Sequence, residues 1–303
     1  MKHLILLIFI SYNVFGQDNF GNISNYEKYG EYLIINSNLS INNLDTAAVM
    51  FKKIFGNSDE SERDSSAELF YDRYLNVMYE LNNEINNNSK NFNIQAIYEL
   101  GNYEGDFNTK LEDKGIKQID FEFYKKLQKY SYKLDSSEGM VYLNIANEKY
   151  LVNAIGNYLS EKCVKYFTVL CNEFANEAFK DAGIVIPINN LVDRMVTWEK
   201  IYNSNLHFKA KQNAKERFVN YLTVLLEGTD NTPAFLYENN KLDKRFIEAY
   251  KYLLKKYKCS HTITMFTEYE KLLKKSGYKK SKQINKFIEK KLNLIDELLT
   301  EKK

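Results

Sequence analysis

Apolar residues along most of this chain return every three or four positions, the spacing of a helix face turned toward a core. Ala47, Met50, Phe51 and Ile54 share one side of a segment that starts near Asp45 and stops at Gly56. Asn57 to Ser66 is a polar connector or first turn, and Leu69, Phe70, Tyr74, Val77, Met78, Leu81 and Ile85 then mark a long amphipathic helix. That helix dissolves into a loop at Asn86 to Asn91. Helical spacing resumes over Phe121 to Leu134 and again over Asn147 to Leu159.

Between Leu159 and Ala182 one stripe holds Cys163, Phe167, Leu170, Phe174 and Ala178, with Gly183 placed to end the helix. An extended connector through Pro187 follows, because proline disfavours helix in the residue before it. Asn190 and Asp193 have capping-box spacing ahead of Leu191, Met195, Trp198 and Tyr202. A basic helix carries Ala214, Phe218, Leu222 and Leu225 up to Gly228, and the stretch Thr229 to Phe235 reads as a loop. Asn240 is the expected cap of a helix bearing Phe246, Tyr250, Leu253 and Tyr257. Two more helices are expected, Thr262 to Ser276 before Gly277 and Ser281 to Leu299.

Two regions depart from this period. Residues 17–42 are rich in Asn and Tyr with little regular spacing and read as a loosely ordered arm. Gly101 to Gln118 reads as turns, and Met140 to Ile145 alternates like a short strand, so one small hairpin is expected between residues 101 and 145. No period recurs that would make a helical solenoid. The fold class is therefore all-α, an irregular bundle of roughly nine or ten helices. With only two prolines and 12 glycines in 303 residues, few breakers interrupt it.

The first 16 residues carry a different signal. Met1, Lys2 and His3 precede the apolar run Leu4 to Ile10, and Val14, Phe15 and Gly16 form a cleavage-like end before Gln17, the pattern of a secretory signal peptide. A membrane-spanning helix needs about 20 apolar residues, and Ser11, Tyr12 and Asn13 interrupt this run, so a permanent anchor is the lesser reading. No cysteine stands at the cleavage point to accept a lipid. The expected destination is the periplasm or the exterior. The expected organisation is a signal peptide at 1–16, the arm at 17–42 and a helical domain at 43–303, divided near 135–147 into an acidic and a basic part.

Charge supports that division. From Lys241 to Lys303 there are 18 Lys plus Arg against 8 Asp plus Glu, a balance of +10, whereas Gln17 to Asn240 carries 23 against 32, or −9. A basic, tyrosine-bearing end suits an anionic polymer. Arg245 is the sole arginine among those 18, so the bidentate forks that read nucleic acid are nearly absent and nucleic acid is disfavoured.

Chemistry is conspicuous mainly by what is missing. Only His207 and His261 follow the expected cleavage point, and no H-E-x-x-H, glycine-rich phosphate loop or G-x-S-x-G elbow occurs. Cys163 and Cys171, eight residues apart on one helix, are separated by about 12 Å, beyond the roughly 7 Å a disulfide tolerates. Three cysteines then read as buried small apolar side chains, against the alternatives of one bridge from Cys259 or a reactive thiol. Glu173, Glu177 and Asp181 step by four along the expected helix as a solvated row, and Trp198 continues a core stripe. Cys259 and His261, with one residue between them, need not face each other.

The sequence thus assigns no catalytic, cofactor-binding or metal-ligating residue and implies no cofactor. The reading is an exported, noncatalytic helical protein that binds a partner protein or cell-envelope component. Its alternatives are an exported enzyme with an unrecognised carboxylate or tyrosine site, sought in Gly101 to Gln118 or Thr229 to Phe235, and a binder of an anionic polymer through the basic C-terminal helices. N-terminal sequencing of protein recovered from an exporting host is expected to begin at Gln17; protein that retains Met1 refutes the cleavage.

Overall fold

With few prolines and glycines to break them, long stretches of backbone satisfy their own N–H and C=O groups. The computed structural model describes residues 24–87, 93–101, 117–258 and 262–300, which build twelve α-helices and three two-stranded ladders. The expected signal segment, most of the two turn-rich stretches (88–92 and 102–116), Cys259 and His261 lie outside the described residues. Among the described residues no helix is long and apolar enough to cross a membrane.

In chain order the helices are α1 (Asn25–Ile35), α2 (Asn43–Phe55), α3 (Glu60–Asn87), α4 (Ile94–Gly101) and α5 (Gln118–Lys129). The hairpin β1 (Tyr132–Ser137) and β2 (Met140–Ile145) follows. Then come α6 (Lys149–Ile155), a 3-10 turn, α7 (Glu161–Ala175), the ladder β3 (Phe179–Lys180) and β4 (Gly183–Ile184), α8 (Ile188–Tyr202) and α9 (Phe208–Glu227). The ladder β5 (Gly228–Thr229) and β6 (Thr232–Pro233) leads to α10 (Lys244–Lys256), α11 (Thr262–Lys275) and α12 (Lys282–Thr300).

Residues 1–37 and 38–303 are separate units. In the first, α1 forms within the arm where spacing alone signalled nothing, and its start is a capping box. The Ser24 hydroxyl accepts from the Glu27 N–H at 3.2 Å, and the Glu27 carboxylate accepts from the Ser24 N–H at 2.9 Å.

In the second unit α2 packs on α3 and α6, and the β1–β2 hairpin lies against α3, α4, α5 and α7. α8 and α9 run along each other, α10 to α12 pack in succession beyond them, and α9 reaches back to α3. The stripes read from spacing face this core: Phe70, Tyr74, Val77 and Met78 of α3, Leu191, Met195 and Trp198 of α8, and Phe246, Tyr250 and Leu253 of α10 are buried.

Boundaries moved where local chemistry overrode period. α5 stops before Leu134 because Ser131 takes a left-handed φ of 57°, after which Tyr132 pairs with Ile145 as a strand. Glu138 (φ 51°) and Gly139 (φ 77°) make its two-residue turn. α7 ends at Ala175 rather than Ala182: the Asn176 side chain and N–H both turn back to the Asn172 carbonyl, and Gly183 becomes the first residue of β4. Thr229 and Thr232, expected in a loop, pair across a ladder. Asp243, not Asn240, caps α10 by accepting from the Arg245 N–H at 2.8 Å. α8 starts directly after Pro187, and Asp193 caps nothing; it accepts from Tyr252 at 2.9 Å, Tyr257 at 2.5 Å and Lys256 at 3.0 Å, tying α10 to α8.

The β3–β4 turn places both Asp181 (φ 48°) and Ala182 (φ 49°) in left-handed backbone. A side chain there costs about 1–2 kcal/mol, and glycine returns about 0.4–1 kcal/mol of that as extra freedom of the unfolded chain. Ala182→Gly is therefore expected to raise stability by about 0.5–1 kcal/mol in urea titration, and an unchanged or lowered midpoint contradicts the turn.

Candidate cleft and buried polar cluster

A cleft of about 350 Å³ opens between α4, α5 and the start of the hairpin. Tyr98 of α4, Tyr124 and Gln128 of α5, and Tyr132, Lys133 and Asp135 of β1 contribute to its lining. Each is held. Tyr98 OH accepts from Ser136 Oγ at 2.9 Å, Gln128 Nε2 donates to Tyr124 OH at 2.7 Å, and Tyr132 OH donates to the Tyr74 carbonyl at 2.7 Å. The strand alternation turns Tyr132 inward, to 1% exposure, so its ring is wall rather than mobile group.

The carboxylate of this cleft is committed. Asp135 lies 2.8 Å from Lys180 Nζ and 3.1 Å from Lys133 Nζ. Burial works to raise its pKa, but hydrogen bonds from Lys180, the Ser136 N–H and Lys133 together outweigh burial and hold it below the ordinary carboxylate range. Lys133 also donates to the Ala175 carbonyl at 2.8 Å, fastening the end of α7 to the hairpin. An ionised, doubly paired carboxylate is a poor general acid, because its proton is absent at neutral pH.

The row of acids expected along one helix face is not a row, since α7 ends before two of its members. Glu173 is buried, accepting from Trp198 Nε1 at 2.6 Å and Arg217 at 2.8 Å. Glu177 lies beyond the helix and accepts from Tyr142 OH at 2.8 Å and Asn144 Nδ2 at 3.0 Å, while Asp181 belongs to the β3–β4 turn. Burial first, and then the Glu177 hydrogen bond, push Tyr142 up to about 12. Trp198 is fully buried, and its indole N–H finds the partner that a buried tryptophan needs.

A second concentration of polar groups lies inside the bundle, where α3, α7 and α9 meet. Asp64 accepts from the Ser160 N–H at 2.8 Å at the start of α7. One turn along α3, Glu68 Oε1 sits 3.8 Å from His207 Nε2, and Lys209 Nζ lies 3.8 Å from Oε2. Glu68 Oε1, His207 Nε2 and the Tyr71 hydroxyl are buried without a hydrogen-bond partner. Burial raises the pKa of Glu68, and burial lowers that of His207. His207 Nδ1 accepts from the Ala210 N–H at 3.4 Å and caps α9, which leaves the ring proton on Nε2, aimed toward Glu68. Spacing does not reveal this cluster, because Asp64 falls in the polar run Asn57 to Ser66, which reads as a connector or first turn. The fourfold spacing of Asp64 and Glu68 was the available signal, placing both on the face that the helix buries.

The thiols are inert by comparison. Cys163 and Cys171 are both buried and free on α7. Burial pushes the Cys163 thiol far up and Cys171 up to about 12, the opposite of an activated nucleophile. Among the described residues no three His, Cys, Asp or Glu side chains gather as a metal site. Of the two loops named as candidate positions, 102–116 lies outside the described residues, and Thr229 to Phe235 is occupied by β5–β6 and its docking on the β3–β4 turn through Asn231.

The His207 cap works only while the ring is neutral. Because the folded pKa lies below the ordinary 6.5, the cap's stabilisation is fully present above pH 6.5 and is lost as pH falls through the lower folded value. Glu68, raised by burial, works in the opposite sense, so the comparison is made against a variant that keeps Glu68. His207→Asn supplies a cap that does not titrate; its loss of stability from pH 7 to pH 5 is expected to be smaller than the parent's by about 1 kcal/mol. Parallel pH profiles for the two proteins contradict the cap.

No protein-family model, curated protein or solved structure matches this chain, so its functional reading stands on residue geometry alone.

Proposed function

We propose that this chain is an exported, noncatalytic binding protein whose cleft between α4, α5 and the β1–β2 hairpin receives a saccharide unit of an envelope or extracellular glycan. The observation that carries the proposal is the cleft's lining: two half-buried tyrosines, Tyr98 and Tyr124, with the exposed Gln128 amide, over a buried Tyr132, and a carboxylate already claimed by two lysines. Aromatic rings offer apolar faces to the C–H side of a sugar ring, and amides and hydroxyls answer its hydroxyl groups. The volume suits a small ligand, since such sites start near about 300 Å³. Binding is favoured over turnover because glycoside hydrolysis needs two carboxyl groups, one of them protonated at working pH. Asp135 is held ionised. Export rests on the pattern of residues 1–16.

The test is an array of envelope and extracellular glycans, followed by calorimetry on the responding sugar. Binding is expected, at least about tenfold weaker in Tyr124→Ala/Gln128→Ala with little change in melting temperature, and with the glycan recovered intact. Absence of any glycan signal, or cleavage of the bound glycan, overturns the proposal.

A further inference from the structure

Away from the cleft, the basic C-terminal region gathers its charge in one place that linear order does not show. The backbone at Lys241 pairs antiparallel with that at Lys279, the Leu242 N–H donates to the Tyr278 carbonyl at 2.8 Å, and the Lys280 N–H donates to the Asn240 carbonyl at 2.8 Å. These bonds set Lys241 beside Lys279, although nearly forty residues of chain separate them, and the next residue, Lys280, holds its ammonium 5.7 Å from the Phe235 ring. Lys244 opens α10 and Lys282 opens α12, immediately next to the paired segments. All five side chains are exposed, and among the described residues none forms an ion pair.

Asp243 is taken by Arg245 at 2.8 Å. Glu238 and Glu248 lie exposed near Lys241 and Lys244 in the chain, and the local excess of positive charge comes from the second segment, where Lys279, Lys280, Lys282 and Lys286 occur with no acid between Gly277 and Ile288. The corners that hold the paired segments are left-handed at Asn240 (φ 55°), Gly277 (φ 62°) and Tyr278 (φ 59°), a conformation that non-glycine residues keep only where surrounding bonds enforce it. On the same loop Tyr237 is 73% exposed.

We infer that this lysine face docks the protein on an anionic lipid surface. Lysine is a compact, strongly hydrated point charge suited to a diffuse field of headgroup phosphates, and the local arginine, whose fork reads a single phosphate bidentately, is engaged with Asp243. An exposed tyrosine fits the headgroup layer, where its ring is partly buried and its hydroxyl stays wet. The contact is electrostatic and superficial, in keeping with the absence of a spanning helix among the described residues.

The test is co-sedimentation of the full mature chain with vesicles of phosphatidylcholine containing about one-third phosphatidylglycerol, against vesicles of phosphatidylcholine alone, at low and high salt. Binding is expected only to the anionic vesicles and is lost at about 0.5 M salt, where screening reaches within a few ångströms. Lys241→Glu/Lys279→Glu/Lys280→Glu is expected to reduce partitioning at least about tenfold, whereas Lys53→Glu/Lys149→Glu/Lys211→Glu, an equal change in net charge elsewhere, leaves it within about twofold. The milder Lys241→Gln/Lys279→Gln/Lys280→Gln repeats the measurement should the reversed triple fail to fold. Equal losses in both triples, no binding to anionic vesicles, or binding to free long-chain polyphosphate with none to vesicles overturns the inference.

Discussion

The fold depends on burying phenol rings while placing acceptors beside most of their hydroxyls. Twenty-four tyrosines occur in this chain, and several of the largest fully buried side chains are among them. A buried hydroxyl without a hydrogen bond costs about 1–3 kcal/mol, so an interior tyrosine favours a place beside an acceptor; Tyr71 and Tyr269, whose hydroxyls have none, are exceptions. Tyr74 and Tyr132 solve the problem side by side. Their rings stack with centroids 4.7 Å apart, Tyr74 OH donates to the Tyr130 carbonyl at 2.7 Å, and Tyr132 OH donates to the Tyr74 carbonyl at 2.7 Å. These bonds lock α3 to the first residue of β1 and so place the hairpin that forms one wall of the cleft. Asp45 repeats the device for α2 by accepting from Tyr130 and Tyr150, both at 3.0 Å. In the second half Tyr250 OH donates to the Leu225 carbonyl at 2.5 Å and pins α10 to α9.

The same constraint separates the paired charges by role. Carboxylates that complete a network, such as Glu173 between Trp198 and Arg217 or Asp193 between two tyrosines and a lysine, fix helices against one another and are spent in doing so. Glu68 and His207 are the exception, close enough to feel each other yet too far apart to bond. Such a pair adds pH sensitivity to the join between α3 and α9, and its burial sets it apart from surfaces that meet a ligand. The cleft and the lysine face are at the surface, and their functional reading comes from what they offer: rings and amides in one, uncompensated charge in the other.

Much of the fold was legible because amphipathic period follows directly from the hydrophobic effect. The stripes of α3, α8, α9 and α10 became the buried faces, and Gly228 and Gly277 ended or followed helices with the positive φ that glycine accepts cheaply. What period missed has local causes. α1 starts on a capping box with little stripe behind it, and α7 is cut short by Asn176. Ser131 turns the chain into a strand at residues whose spacing also suits a helix. The cleft was not visible, since nothing in the local spacing singles out Tyr98, Tyr124 and Tyr132 until their elements are placed around a common space.

By itself the sequence determined helical class, the positions of most helices, the separation of Cys163 from Cys171 on one helix and the polarity of charge along the chain. These follow from interactions within a few residues or from simple counting. Only the tertiary structure decided which polar groups share a neighbourhood: Asp135 beside Lys180, Glu68 beside His207, Lys241 beside Lys279. Those meetings bring together side chains tens to more than a hundred residues apart. No local periodicity encodes them, because they are set by how whole helices must pack to bury their rings and satisfy the hydroxyls those rings carry inside.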